Sequence, residues 1–164
     1  MLRALESRDY DRLIGTMDDW WGGRRVHDKL PRLFVEHFRD TSLVIEEEGA
    51  IVGFLVGFLS SSTPGEAYIH FVGVHPDHRR GGLARSMYEH FFALARARGR
   101  TIVRCVTSPV NQASIAYHTS IGFEIEEGDG VIDGIPVHLE HDGPGEHRVR
   151  FVRAIPAETG LSPA

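Results

Sequence analysis

Arg79, Arg80, Gly81, Gly82 and Arg85 have the residue types and the spacing to hold a phosphate. The apolar-rich run Ile69, Phe71, Val72 and Val74 precedes them and stops at Pro76, which cannot donate to a sheet ladder. An amphipathic run follows, with Leu83, Met87, Tyr88, Phe91, Phe92 and Ala95 on one helical face. Strand, basic turn and helix N-terminus together make an anion cradle. Gly81 and Gly82 let the backbone approach the anion, and the free amides of the first helical turn point at it. Arg79, Arg80 and Arg85 add charge around it.

A second segment lies further along the chain, Asn111-Gln112-Ala113-Ser114-Ile115-Ala116-Tyr117-His118-Thr119-Ser120-Ile121-Gly122-Phe123. With Arg79-Arg80-Gly81-Gly82-Leu83-Ala84, and with Val72-Gly73-Val74 and Pro76 before it, this segment resembles the GCN5-related N-acetyltransferase (GNAT) family. The order of the two motifs is the family's own. The resemblance covers residues 1–155 in layout and 68–123 in motif detail.

The resemblance implies acyl transfer from acetyl-CoA to an amine. The needs are positioning, a donor to the developing oxyanion, a route for the amine's proton and an acid for the leaving thiolate. By resemblance, the amide of Val72 supplies the oxyanion contact and Val74 contacts the pantetheine. The amides of Arg80, Gly81, Gly82, Leu83, Ala84 and Arg85, with Arg79 beside them, hold the pyrophosphate. The leaving-group acid is commonly a tyrosine four residues before the Gly-Phe glycine, a position held here by His118. A helical projection puts Asn111, Ser114 and His118 on one face, so His118 faces the cofactor if Asn111 does. His118 then acts either as the acid or as a structural contact, with Tyr117 as core.

The family often carries its base near the position of Tyr68. Period-two alternation places Glu66, Tyr68 and His70 on the same sheet face as Val72. His70 is therefore either a proton relay or a hydrogen-bonded strand histidine. Trp20 and Trp21 end the first helix, where the family's acceptor site has a wall; one reads as core and the other as pocket lining.

The elements that must position these groups alternate along the chain. A strand opens it at residues 2–5. A helix with Ser7 or Asp9 as N-cap runs to Gly22-Gly23, and a second starts near Asp28 with Pro31 in its first turn. A hairpin turns at Glu48-Gly49, and the strand at 66–75 leads into the long helix. Then come a strand at 101–107, a helix at 111–121 and strands at 123–126 and 148–155. This is an α/β three-layer reading with a mixed central sheet, in one domain over residues 1–155 with a loose tail from Pro156. The splay of the fourth and fifth strands is implied by the resemblance.

Residues 124–147 are longer than a tight reversal. Gly128-Asp129-Gly130, Asp133-Gly134 and Asp142-Gly143-Pro144-Gly145 give them the turn chemistry of a structured loop or small hairpin. Glu126, Glu127, Asp129, Asp133, Glu140 and Asp142 lie there with no lysine or arginine, so the segment reads as an acidic acceptor wall opposite Trp20 and Trp21. A surface loop or a homodimer contact is the other reading.

A formal charge of −5 gives no global attraction to nucleic acid or anionic membrane. The single Cys105 excludes an intrachain disulfide and suits a reducing cytoplasm, and no signal peptide is expected at a start so rich in charge. The longest apolar run, 51–59, is too short to span a bilayer. Ten histidines form no His-x-x-x-His pair with a carboxylate partner, so no metal is expected. The expectation is an acetyl-CoA-dependent N-acetyltransferase of a small amine. A protein N-terminal or lysine acetyltransferase is one alternative, and a non-catalytic acyl-CoA-binding sensor is another.

Overall fold

The computed structural model describes residues 1–156, so most of the expected tail lies outside the described residues. The described residues form two compact units, Met1–Leu59 with Ile69–Ala95, and 60–68 with 96–156. Strand β4 (Glu66–Val74) contributes its first residues to the second unit and the rest to the first.

In the first unit β1 (Leu2–Ala4), β2 (Leu43–Glu47) and β3 (Ala50–Leu59) pair in sequence, antiparallel throughout. Helix α1 (Tyr10–Trp20) buries Leu13, Met17 and Trp20, residues at helical spacing. It ends in two left-handed glycines, Gly22 (φ 69°) and Gly23 (φ 81°), whose amides cap the carbonyls of Asp19 and Asp18. Asp9 holds the N-cap position of this helix as expected, but its side chain makes no capping bond. Its buried carboxylate takes a bidentate Arg3 at 2.7 and 2.9 Å and the Glu6 amide at 2.9 Å, which fixes the chain before the helix. The second helix is also shorter than expected. A single 3-10 turn at His27–Lys29 stops at Leu30, and Pro31 precedes α2 (Arg32–His37) as its N-cap. The residue before a proline is pushed out of the helical region, so the two turns cannot join. Helix α3 (Leu83–Ala97) buries Met87, Tyr88, Phe91, Phe92 and Ala95, the expected face. Phe54, on β3, is fully buried among Leu13, Met17 and Trp20; truncating such a side chain costs about 3 kcal/mol or more.

In the second unit β5 (Ile102–Thr107) lies between β4 and β9 (Val149–Ala154), and β6 (Glu124–Ile125) pairs with the far edge of β9. The β4–β5 pair is parallel and covers Glu66↔Ile102 to Tyr68↔Arg104, a short register suited to strands that splay. The other pairings are antiparallel, which gives the mixed sheet of an α/β fold. Helix α4 (Gln112–Ser120) is capped by Asn111, whose side-chain oxygen accepts from the Ser114 amide. The 124–147 segment contains the expected hairpin, β7 (Gly130–Ile132) and β8 (Ile135–Val137). Asp133 and Gly134 turn it with φ of 50° and 78°, the two left-handed residues of a tight hairpin.

Candidate active site

The turn after β4 is built mostly from backbone. Pro76–His78 form a 3-10 turn, with His75 Nδ1 accepting from the Asp77 amide. Arg80 (φ 70°) and Gly82 (φ 77°) are both left-handed, and the Gly82 carbonyl accepts from Ser86 to open α3. The amides of the first helical turn are thereby left for an outside acceptor. A Cβ added at Gly82 would meet nothing within 4 Å, so the space beside this glycine is open. Backbone donors, an open approach and a 15-residue helix dipole fit a phosphate group.

The three arginines divide their work. Arg79 donates to the carbonyls of Val74 (3.2 Å) and Trp20 (2.6 Å), so its guanidinium ties the turn to the end of α1. Arg85 pairs with Glu89 at 3.0 Å one turn along α3. Arg80 is exposed and makes no ion pair among the described residues.

The face expected from strict alternation along β4 is corrected by the structure. Gly73 faces Trp21 and Phe54, where an added Cβ would come within 2.7 and 2.5 Å of the rings. Phe71, two residues earlier, packs on the same rings at 5.2 and 5.9 Å. His70 also lies on this side, stacked on Phe34 at 4.0 Å. Two consecutive side chains on one face mean that alternation slips between His70 and Phe71, as at a β-bulge. Val72 and Val74 therefore lie on the opposite face from His70. Trp20 is core, 5% exposed, while Trp21 is half-buried over Gly73.

Both expected proton carriers have one ring nitrogen committed. His70 Nε2 lies 2.6 Å from the Lys29 carbonyl, and His118 Nδ1 lies 2.7 Å from the Ser114 carbonyl. A carbonyl oxygen only accepts, so each of these nitrogens carries the hydrogen. The basic atoms are Nδ1 of His70 and Nε2 of His118. His118 is buried and stacked on Phe151 at 4.7 Å, with Phe123 edge-on at 5.3 Å. Burial pushes its imidazole below the ordinary range, and the Ser114 bond opposes this only partly. His118 is thus neutral at pH 7, able to accept a proton before it can give one. Burial pushes the Tyr68 phenol up to about 12, helped by Cys105 and Asp142 and opposed by Arg150 and Arg148. Tyr68 therefore stays protonated.

Two of the six acidic residues expected in 124–147, Glu126 and Asp142, are paired with arginines outside the segment, which the sequence reading missed. Buried Arg148 donates to Asp142 and Glu146, each at 2.6 Å, and to the His147 carbonyl at 2.9 Å. Glu126 binds Arg104 and lies 3.4 Å from Arg150. Asp129 accepts the Leu139 amide, and an added Cβ at Gly128 would lie 2.1 Å from the Val137 oxygen. The segment is a tightly fitted piece of the second unit. Arg148 and Arg150 are two apart on a strand edge and share a face, the one sequence signal that marks them. Among the described residues no group of three or more His, Cys, Asp or Glu is arranged to hold a metal ion, and no helix is long and apolar enough to cross a membrane.

Residues 5–123 match the Acetyltransferase (GNAT) family, and the chain belongs to it. The chain is 29% identical to the L-2,4-diaminobutyric acid acetyltransferase of Vibrio cholerae over 125 residues, 75% of this chain and 70% of that protein. It is 34% identical to the L-amino acid N-acyltransferase MnaT of Escherichia coli over 85 residues, about half of each (51% and 49%). Its fold is similar to that of the diaminobutyrate acetyltransferase EctA from Paenibacillus lautus, solved with L-2,4-diaminobutyric acid and coenzyme A. That likeness has a TM-score of 0.70 at 24% identity and covers 98% of both chains.

Proposed function

We propose that the chain transfers the acetyl group of acetyl-CoA to an amine of a free amino acid, in the cytoplasm. The observation that carries the cofactor is the turn at 79–85, where left-handed Arg80 and Gly82 leave first-turn amides beside open space. The amides from Arg80 to Arg85 would hold the pyrophosphate, with the Arg80 side chain adding charge. Acetyl-CoA supplies the activated thioester. The slip beside Val72 supports its amide as the oxyanion donor, because a bulge releases ladder amides. Val74 would add a contact to the pantetheine.

His118 suits a shuttle better than a standing acid. Its neutral Nε2 would take the proton lost by the attacking amine, while Nδ1–H stays on Ser114, and the resulting imidazolium would protonate the thiolate. Losing this transfer should lower kcat by about 10²-fold in His118→Ala. His70 Nδ1 is the second candidate base, and Trp21 would contact the acceptor. The amino-acid reading is supported by relatives named for L-2,4-diaminobutyric acid, L-amino acids, and L-methionine sulfoximine and L-methionine sulfone.

The test is a panel of free amino acids, simple amines and peptides with free N-termini, read as thiol released from acetyl-CoA. Turnover with free amino acids is expected. Turnover restricted to peptides would overturn this reading in favour of protein acetylation, and acetyl-CoA binding without turnover would favour a sensor.

A further inference from the structure

The second unit carries a sheet face whose charges are incompletely matched. On β9, Val149 and Phe151 are fully buried, and Phe151 packs under His118 of α4. Arg150 therefore points to the opposite face. The register Cys105↔Phe151 and Val106↔Arg150 puts Arg104 and Val106 on that same face, and Tyr68↔Arg104 brings in Tyr68. Arg148 lies at the end of this row, two residues before Arg150.

The three arginines differ in how fully they are satisfied. Arg104 holds Glu66 at 2.9 Å and also binds Glu126. Arg148 spends Nε, Nη1 and Nη2 on Asp142, His147 and Glu146. Arg150 approaches Glu126 only through Nε at 3.4 Å, and neither of its Nη atoms has a partner among the described residues. The facing atom, Glu126 Oε2, is buried and has no hydrogen bond. A guanidinium held on its Nε side by a buried carboxylate, with its Nη fork unused, is complementary to a ligand carboxylate.

We propose that Arg150 forms the subsite for the α-carboxylate of the acceptor, taking it through its Nη fork while Glu126 holds the Nε side of the guanidinium. This rests on the free amino acid reading and adds its recognition element. The protonated Tyr68 phenol, which feels the Arg150 charge, is a neutral donor at the rim.

The test compares L-2,4-diaminobutyrate with 1,3-diaminopropane, the same diamine without its carboxylate, in wild-type enzyme, R150Q and R150K. Wild type should prefer the amino acid. R150Q should raise KM for it by at least ~10-fold more than for the diamine, the size of one lost charge-assisted bond, with R150K between. Equal effects on both amines, or an unchanged preference, would overturn the subsite, as would wild-type enzyme that acetylates both equally well. Wild-type enzyme that acetylates 1,3-diaminopropane but not the amino acid would overturn the amino-acid reading together with its subsite. Wild type that releases thiol with neither would overturn the enzyme reading itself.

Discussion

The turn from Pro76 to Gly82 and the segment from Glu126 to Arg148 are both irregular and rich in glycine, yet they are held in opposite ways. The turn is fixed by backbone: a 3-10 turn, two left-handed residues, one arginine tying carbonyls, and amides left over for a ligand. The segment is fixed by side chains. Arg148, Arg104 and Arg150 gather its carboxylates, and its amides are used internally by Asp129 and His147. A segment that spends its own polar groups becomes rigid and offers few to a ligand. A turn that leaves its amides unspent is built to bind.

The comparison breaks first, if it is wrong, at Gly128. Gly128→Ala drives a methyl into the Val137 carbonyl, and should cost about 3 kcal/mol or more, measured by denaturant unfolding. Amide exchange through β7 and β8 should accelerate with it. Arg148→Met should cost about 2 kcal/mol, since Asp142 and Glu146 are half-exposed and rehydrate when their buried partner is lost. The same change should leave acetyl-CoA affinity within about twofold, because an arginine clamp and a backbone cradle are independent.

The smallest effect concerns pH. Burial lowers the folded-state affinity of His118 for its proton, so between the folded pKa and about 6.5 the unfolded chain binds more protons. Stability should therefore fall as pH drops below about 6.5, and His118→Phe should flatten that part of the Tm profile. An identical slope in the variant would mean that His118 is not held neutral by its surroundings.

The difference between the two regions also decides what the sequence could disclose. The turn, α3 and the Asp133-Gly134 hairpin were legible because each depends on residues adjacent in the chain. The break between His27–Lys29 and α2 was signalled by Pro31 and was read as one helix. The slip at His70 was not legible, since it depends on which rings lie opposite β4. Nor was the burial of His118, which comes from Phe151, far along the chain. The pairing of Glu126 and Asp142 was hidden for the same reason: their arginines are Arg148, just past the segment, and Arg104 and Arg150 on neighbouring strand positions.

The central claim, that backbone amides at the turn hold acetyl-CoA, is tested most directly by calorimetric titration of acetyl-CoA into wild type, Arg80→Gln and Gly82→Leu. A left-handed non-glycine residue costs the fold only about 1–2 kcal/mol and its Cβ meets nothing within 4 Å, so the Gly82 variant should remain folded. The account predicts a loss of about 10-fold for Arg80→Gln, one charge-assisted contact. For Gly82→Leu it predicts no measurable binding. Wild-type affinity in Gly82→Leu would contradict it.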